Sequence, residues 1–200
     1  GFGKGVCGSS WKEQKVLIWQ TDSIQGNFKV EYTLNPPGQK VAVAKSSFSK
    51  LFLKNKTTYL YRATLSGLKF DASYTYKVSL NGKVLAENSF TTRTLKPQTK
   101  FVVFGDCGGG TPQQAGIAYQ VYQQKPEFVL VTGDNVYLKG LENEYRKNFF
   151  PYYTAKEANP AVGAPLMNSI PFYMILGNHD VYGVEFDKTQ DGLAYFYYND

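Results

Sequence analysis

Hydrophobic and polar positions follow two different rules along this chain. Between residues 16 and 92 they alternate, or run in short apolar blocks between turn signals, which is the pattern of strands. Residues 16–19, 28–32, 40–44, 59–65, 74–78 and 88–92 each read as a strand, divided by breakers such as the Asn-Pro-Pro-Gly of residues 35–38 and the pair Asn81-Gly82. Short strands at this spacing predict an all-β sandwich. From residue 100 the rule changes. Continuous apolar blocks at 101–104, 128–131 and 172–176 read as buried parallel strands. Helical stretches separate them. Pro112 opens one, and Ala115, Ala118, Tyr119 and Tyr122 follow at helical spacing before Lys125-Pro126 ends it. Residues 141–153 give a second, with Leu141, Tyr145 and Phe149 at four-residue steps. Strand–helix alternation of this kind means α/β. The change falls near 94–99, where Pro97 interrupts the chain, so the predicted organisation is a sandwich over 1–95, a linker over 96–99 and an α/β part over 100–200. The final aromatic run, 193–198, reads as one more strand.

Each apolar block of the second part is followed at once by a polar one. Gly105-Asp106-Cys107-Gly108, Gly133-Asp134-Asn135-Val136-Tyr137 and Gly177-Asn178-His179-Asp180 put oxygen ligands where three strands end. In open α/β sheets ligands bind at that carboxyl edge, and a glycine ahead of each ligand permits a sharp exit from the strand. The spacing therefore predicts one site built from three loops. Carboxylate, phenolate and carbonyl oxygens suit hard cations, and a bridging carboxylate can hold two of them. Dull alternatives stand beside this reading. Asp106 and Asp134 are also suited to capping helices, Tyr137 to core packing and Asn178 to a left-handed turn. Tyr152, Tyr153 and Tyr182 fit a substrate cleft as well as they fit core or surface.

The order and content of the three blocks resemble the metallophosphoesterase (calcineurin-like) superfamily and, within it, the purple acid phosphatases. Gly108 stands where many metallophosphoesterases have histidine, and Tyr137 follows Asp134 by three residues; both marks are shared with the purple enzymes. The resemblance implies that Asp106 and Tyr137 bind a ferric ion, that Asp134 bridges two metals and that Asn178 binds a second, divalent ion of iron, zinc or manganese. It makes His179 a proton or hydrogen-bond donor beside the leaving group, with Asp180 orienting its imidazole. The implied reaction is hydrolysis of a phosphomonoester, a phosphorylated small molecule, by in-line attack and without a covalent enzyme intermediate. A phosphodiesterase or nucleotide pyrophosphatase on the same scaffold, or a binding protein with a degenerate metal domain, are the alternatives. In the first part, Leu68 followed by residues 74–78 is similar to the tyrosine corner of fibronectin type III domains, with Trp19 as a core aromatic. The fold expected is thus a fibronectin-like sandwich followed by the first half of an α/β metallophosphoesterase sandwich.

That family completes its metal site with further histidines in later motifs, whereas His179 is the single histidine of these 200 residues. The chain therefore reads as a truncated sequence, and these residues alone are expected to turn over little or no substrate.

Composition adds limits. With 42% hydrophobic and 19% charged residues the chain is ordinary for a globular protein. It contains no apolar run near the roughly 20 residues of a membrane helix, and no basic-then-apolar signal peptide is read at its start. A net charge of +6 and an isoelectric point near 9.1 favour anionic substrates, but the lysines are scattered and no nucleic-acid partner is expected. Cys7 and Cys107 lie too far apart in organisation for a disulfide to be expected, and Cys107 is read as a small buried side chain, the alternative being a soft ligand or a redox-sensitive thiol. A secreted or extracytoplasmic setting is expected, and the Asn55-Lys56-Thr57 sequon would matter only in a eukaryotic secretory pathway. Gly108-Gly109-Gly110 lacks the Gly-Lys-Ser/Thr of a phosphate loop and is read as part of the metal site.

Overall fold

A computed structural model describes residues 13–23, 25–36, 41–53, 56–185, 188 and 190–199. The expectations attached to Cys7, to Pro37 and Gly38, to Lys40 and to Asn55 lie outside the described residues.

The first part is a sandwich of two antiparallel sheets. One holds β1 (Glu13–Thr21), β5 (Lys56–Leu68) and β4 (Ser46–Leu53) in the order β1-β5-β4; the other holds β3 (Ala42–Ala44), β2 (Phe28–Leu34), β6 (Ser73–Leu80) and β7 (Lys83–Thr91) in the order β3-β2-β6-β7. Alternation decides which side chains face inward. In β2 Phe28, Val30 and Tyr32 are buried while Lys29 is exposed, and in β6 Tyr74, Tyr76 and Val78 take the inner face. Trp19 stacks on Tyr61 at 5.3 Å, and Phe28 packs on Tyr61 at 4.6 Å. Asn81 and Gly82 both take positive φ, 50° and 81°, as the tight β6–β7 hairpin requires. The expected corner is present too: the Tyr74 hydroxyl accepts a hydrogen bond from Lys69 N, five residues upstream, at 3.0 Å.

Two findings differ from the sequence reading here. Strand β4 was not expected, because its Ser-Ser-Phe-Ser-Lys pattern carries little apolar signal; its ladder with β5, from Ser46 against Ala63 to Leu53 against Lys56, supplies what the pattern does not. Strand β5 is also buried continuously from Thr58 to Tyr61. The reason is that it has two cores to serve: Tyr59, Tyr61, Ala63 and Leu65 face the sandwich interior, while Leu60 belongs to the core of the second part.

The second part is built on a parallel sheet, β10-β9-β8, formed by β8 (Phe101–Phe104), β9 (Phe128–Val131) and β10 (Phe172–Met174). Helix α1 (Pro112–Gln123) links the first two; Thr111 caps it by accepting from Gln114 N, and Ala115, Ala118 and Val121 form its buried face. The expected helix over 141–153 is a composite. It has an α turn, α2 (Glu142–Glu144), a wider π turn (Tyr145–Phe149) and a second α turn, α3 (Phe150–Tyr153). Pro151 has no N–H to continue the ordinary ladder, which accounts for the change of winding just before it.

Continuous apolar blocks predict strands buried on both faces, and within these 200 residues one of the two faces is covered. Val129 and Val131 are fully buried, but Phe101, Val103, Tyr173 and Ile175 are each about half exposed on the opposite face. The run 193–198 is likewise a helix, α4 (Ala194–Asn199), in place of the expected strand. Ala194 and Tyr198, four residues apart, are buried together, and Tyr198 packs on Tyr145 and Phe150. Packing has overridden the β-propensity of the aromatic run.

Besides the apolar contact of Leu60, the two parts meet through polar contacts. Gln20 Nε2 donates to Glu142 Oε1 at 2.7 Å, the Tyr198 hydroxyl donates to Gln20 Oε1 at 2.5 Å and Tyr76 donates to Asn168 O at 2.8 Å. Arg62 donates to Tyr197 O at 2.6 Å, and Arg146 holds Asp22 in a two-point contact. No helix among the described residues is long and apolar enough to cross a membrane.

Candidate metal centre

The ends of β8, β9 and β10 lie side by side, and the three polar blocks leave from them. Asp106 and Asp134 both sit at positive φ, 53° and 48°. Non-glycine residues avoid that region, aspartate less than most, and such strain gathers where a side chain must be aimed. The loops carrying them are tied to each other: Asp106 N donates to Gly133 O at 3.2 Å, Cys107 N to Asp134 O at 3.3 Å and Tyr137 N to Gly108 O at 3.1 Å. The glycines matter chiefly through contact. A Cβ on Gly108 would collide with Asn135 O, and one on Gly177 with the Asp134 backbone. After β9 the sharp exit uses Gly133 at φ +102°, as the sequence reading expects, together with Asp134; after β8 it is made by Asp106 itself, and neither Gly105 nor Gly177 takes a positive φ.

This lacing brings three acidic oxygens together. The Tyr137 hydroxyl donates to Asp106 Oδ1 at 2.5 Å and lies 3.3 Å from Asp134 Oδ2. Desolvation and then the two carboxylates push the Tyr137 phenol well above its ordinary range. A phenol so placed holds its proton until a cation replaces it. The donor set of two carboxylates and a phenol in contact fits a hard metal ion. It is a partial set: among the described residues no group of three or more His, Cys, Asp and Glu side chains is placed to hold a metal.

The third block joins through its backbone. His179 N donates to Asp134 Oδ1 at 2.9 Å, which sets Asn178 and His179 beside the carboxylate cluster. Asn178 is exposed and opens a short helical turn, His179–Val181, in right-handed geometry at φ −69°, so the left-handed alternative does not hold. The His179 ring nitrogen Nδ1 lies 2.9 Å from Leu138 O. Facing a carbonyl, Nδ1 carries a proton, which leaves Nε2 as the exchanging nitrogen. Tyr137 lies 4.8 Å from the imidazole, and Tyr182 stacks on it at 5.5 Å with 23° between planes.

Asp180 does something other than the expected orienting of this ring. It is fully buried, and its carboxylate accepts from Asn135 N, Asn135 Nδ2, Val136 N, Gly177 N and the Tyr145 hydroxyl. It thereby clamps the loop after β9 to the loop after β10. The imidazole is oriented instead by Leu138 O, and Leu138 is held by Glu144, whose carboxylate accepts from Leu138 N, Lys139 N and Leu141 N. Glu144 and Tyr145 were not singled out by the sequence reading; a glutamate three residues into a helix is the available signal for the first. Cys107 is buried behind the loop, its thiol pushed up to about 12 by burial, in keeping with the packing role and against a reactive thiol. Of the three cleft candidates, Tyr153 is fully buried in the core, Tyr152 is half-buried and Tyr182 is exposed beside His179.

Comparison with known proteins gives the family of the chain. The chain is 31% identical over 110 residues to purple acid phosphatase 17 of Arabidopsis thaliana, a match covering 50% of this chain and 31% of that protein. The purple acid phosphatase PPD1 of yellow lupin (Lupinus luteus) seeds shares the fold with a TM-score of 0.64 at 16% identity, over 92% of this chain and 37% of that one. The chain thus spans about a third of the length of these relatives. The model of the calcineurin-like phosphoesterases matches residues 99–200, the whole of the part that carries the three loops, and the chain belongs to that family.

Proposed function

We propose that the cluster is part of a binuclear metal centre of the purple acid phosphatase type, which hydrolyses phosphomonoesters to phosphate and an alcohol in the full-length protein. The observation that carries this reading is the convergence of the Asp106, Asp134 and Tyr137 oxygens, with His179 anchored on Asp134. Asp106 and Tyr137 would hold a ferric ion, Asp134 would bridge and Asn178 would serve a divalent ion. Metals so bound acidify a water and neutralise phosphate oxygens. The chain's own residues do the remaining work. Asp180 and Glu144 fix the loops, and the Nδ1 contact to Leu138 O leaves Nε2 of His179 as the atom that hands a proton to the leaving oxygen. The 200 residues alone, with one histidine and a partial ligand set, are proposed to turn over little substrate. The sandwich is read as a fibronectin type III domain on its tyrosine corner, and the protein as extracytoplasmic.

The test is metal content together with the visible spectrum of the full-length protein. Two metals per chain and a tyrosinate-to-iron(III) band that Tyr137→Phe abolishes are expected. A colourless, metal-free protein from iron-replete cells would reject the reading in favour of a degenerate scaffold.

A further inference from the structure

Tyr182 is the most exposed of the three cleft candidates, at 58%, and it is so in a fixed place. Tyr182 has φ −66° and ψ 116°, Gly183 follows at φ +68°, and Val184 N donates to Val181 O at 3.2 Å. Those values define a type II turn with Tyr182 at its first corner and glycine where a positive φ is needed. The turn leaves directly from the short helix that carries His179, and the Tyr182 ring lies offset-stacked on the imidazole. The imidazole itself is fixed from its Nδ1, which lies 2.9 Å from the backbone carbonyl oxygen of Leu138. An exposed aromatic ring usually swings freely. Here the turn and the stacking hold it beside the candidate proton donor.

We infer that Tyr182 is a specificity-determining residue whose ring receives a planar aromatic leaving group, so that the site prefers aryl to alkyl phosphomonoesters. This deepens the phosphomonoesterase reading and rests on it for the reaction. The physical basis is an offset aromatic contact made outside the metal cluster and next to the group that protonates the leaving oxygen. A single contact of this kind changes affinity by about fivefold. Alkyl groups, which lack a π face, gain only contact area from the same ring.

Binding is measured first, with phenylphosphonate and ethylphosphonate, which are not hydrolysed, by titration calorimetry on the metal-loaded full-length protein. Tyr182→Ala is expected to weaken phenylphosphonate about fivefold and to leave ethylphosphonate within twofold, while Tyr182→Phe keeps the wild-type preference. Equal weakening of both ligands, no change in either, or loss of the preference in Tyr182→Phe overturns the assignment. Failure of both phosphonates to bind the wild type overturns it together with the metal-centre reading. Hydrolysis of phenyl phosphate and ethyl phosphate by the same preparations separates the two claims. If neither ester is cleaved but the aryl preference in binding persists and is lost in Tyr182→Ala, the reaction assignment fails and the platform stands.

Discussion

The sandwich and the loops at the ends of the parallel strands are held together on opposite terms. In the sandwich, apolar side chains from two sheets close on each other: Val30, Leu65 and Tyr61 are buried at the centre, and aromatic rings from β1, β2 and β5 interlock. In the loops the central group is a buried carboxylate, Asp180, surrounded by donors, and the two aspartates in front of it sit at positive φ. Among the described residues of the sandwich, positive φ at non-glycine residues is confined to turns, at Asp71 and Asn81, whereas in the loops it falls on the candidate ligands Asp106 and Asp134 themselves. Strain and buried charge are tolerated where side chains must be held for chemistry, and the surrounding packing supplies the stability they lack.

The comparison breaks most sharply at the two centres. Tyr61→Ala removes a ring in contact with Trp19, Phe28 and Phe48 and should destabilise the protein by about 3–5 kcal/mol, read by denaturant unfolding. It should leave the NMR signals of the His179 imidazole, the only one in the 200-residue chain, close to their wild-type positions in the folded protein. Asp180→Ala leaves the donors of Asn135, Val136, Gly177 and Tyr145 without their acceptor, at a cost of about 3 kcal/mol. Here the His179 signals should move, because Gly177 and Asn135 are released from each other. If Tyr61→Ala shifts them as much as Asp180→Ala does, the two regions are not separable in this way.

A finer version compares the two faces of one sheet. Val129→Ala, on the covered face, should cost about 2 kcal/mol, and Val103→Ala, half exposed, less than about 0.5 kcal/mol. Similar values for both would show that the outer face is covered in solution. The smallest effect lies between the parts. Asp22 has its pKa lowered by the Arg146 hydrogen bond first and by charge second, so its contribution is full above the ordinary value of 3.8 and fades as pH falls through the lower folded value. Its side chain is 69% exposed, so Asp22→Asn should cost no more than about 0.5 kcal/mol at pH 7 and progressively less as the pH is lowered below 3.8, by chemical unfolding at low salt.

Some of this was legible in the residues because it is local. Asn81-Gly82 names its own hairpin, Thr111-Pro112 its own helix start, and the alternation of β2 and β6 its inward face. The three polar blocks could be placed at strand ends, and the strands stop two, three and four residues before Asp106, Asp134 and Asn178. What was misread depends on partners. Strand β4 exists because β5 offers it a ladder, residues 193–198 are helical because Ala194 and Tyr198 find a common core, and Asp180 faces backbone donors in place of the neighbouring ring.

By itself the sequence determined which residue types stand at the strand ends, and therefore what chemistry the site can support, since hard oxygen donors and an imidazole are properties of single side chains. It determined the change from alternating to continuous apolar segments, since periodicity is written residue by residue. Only the tertiary structure decided which oxygens meet, which face of the parallel sheet is covered, and that Leu138 O and Tyr182 frame His179. Those outcomes rest on contacts between residues far apart in the chain, whose energies depend on the distance and burial that folding alone establishes.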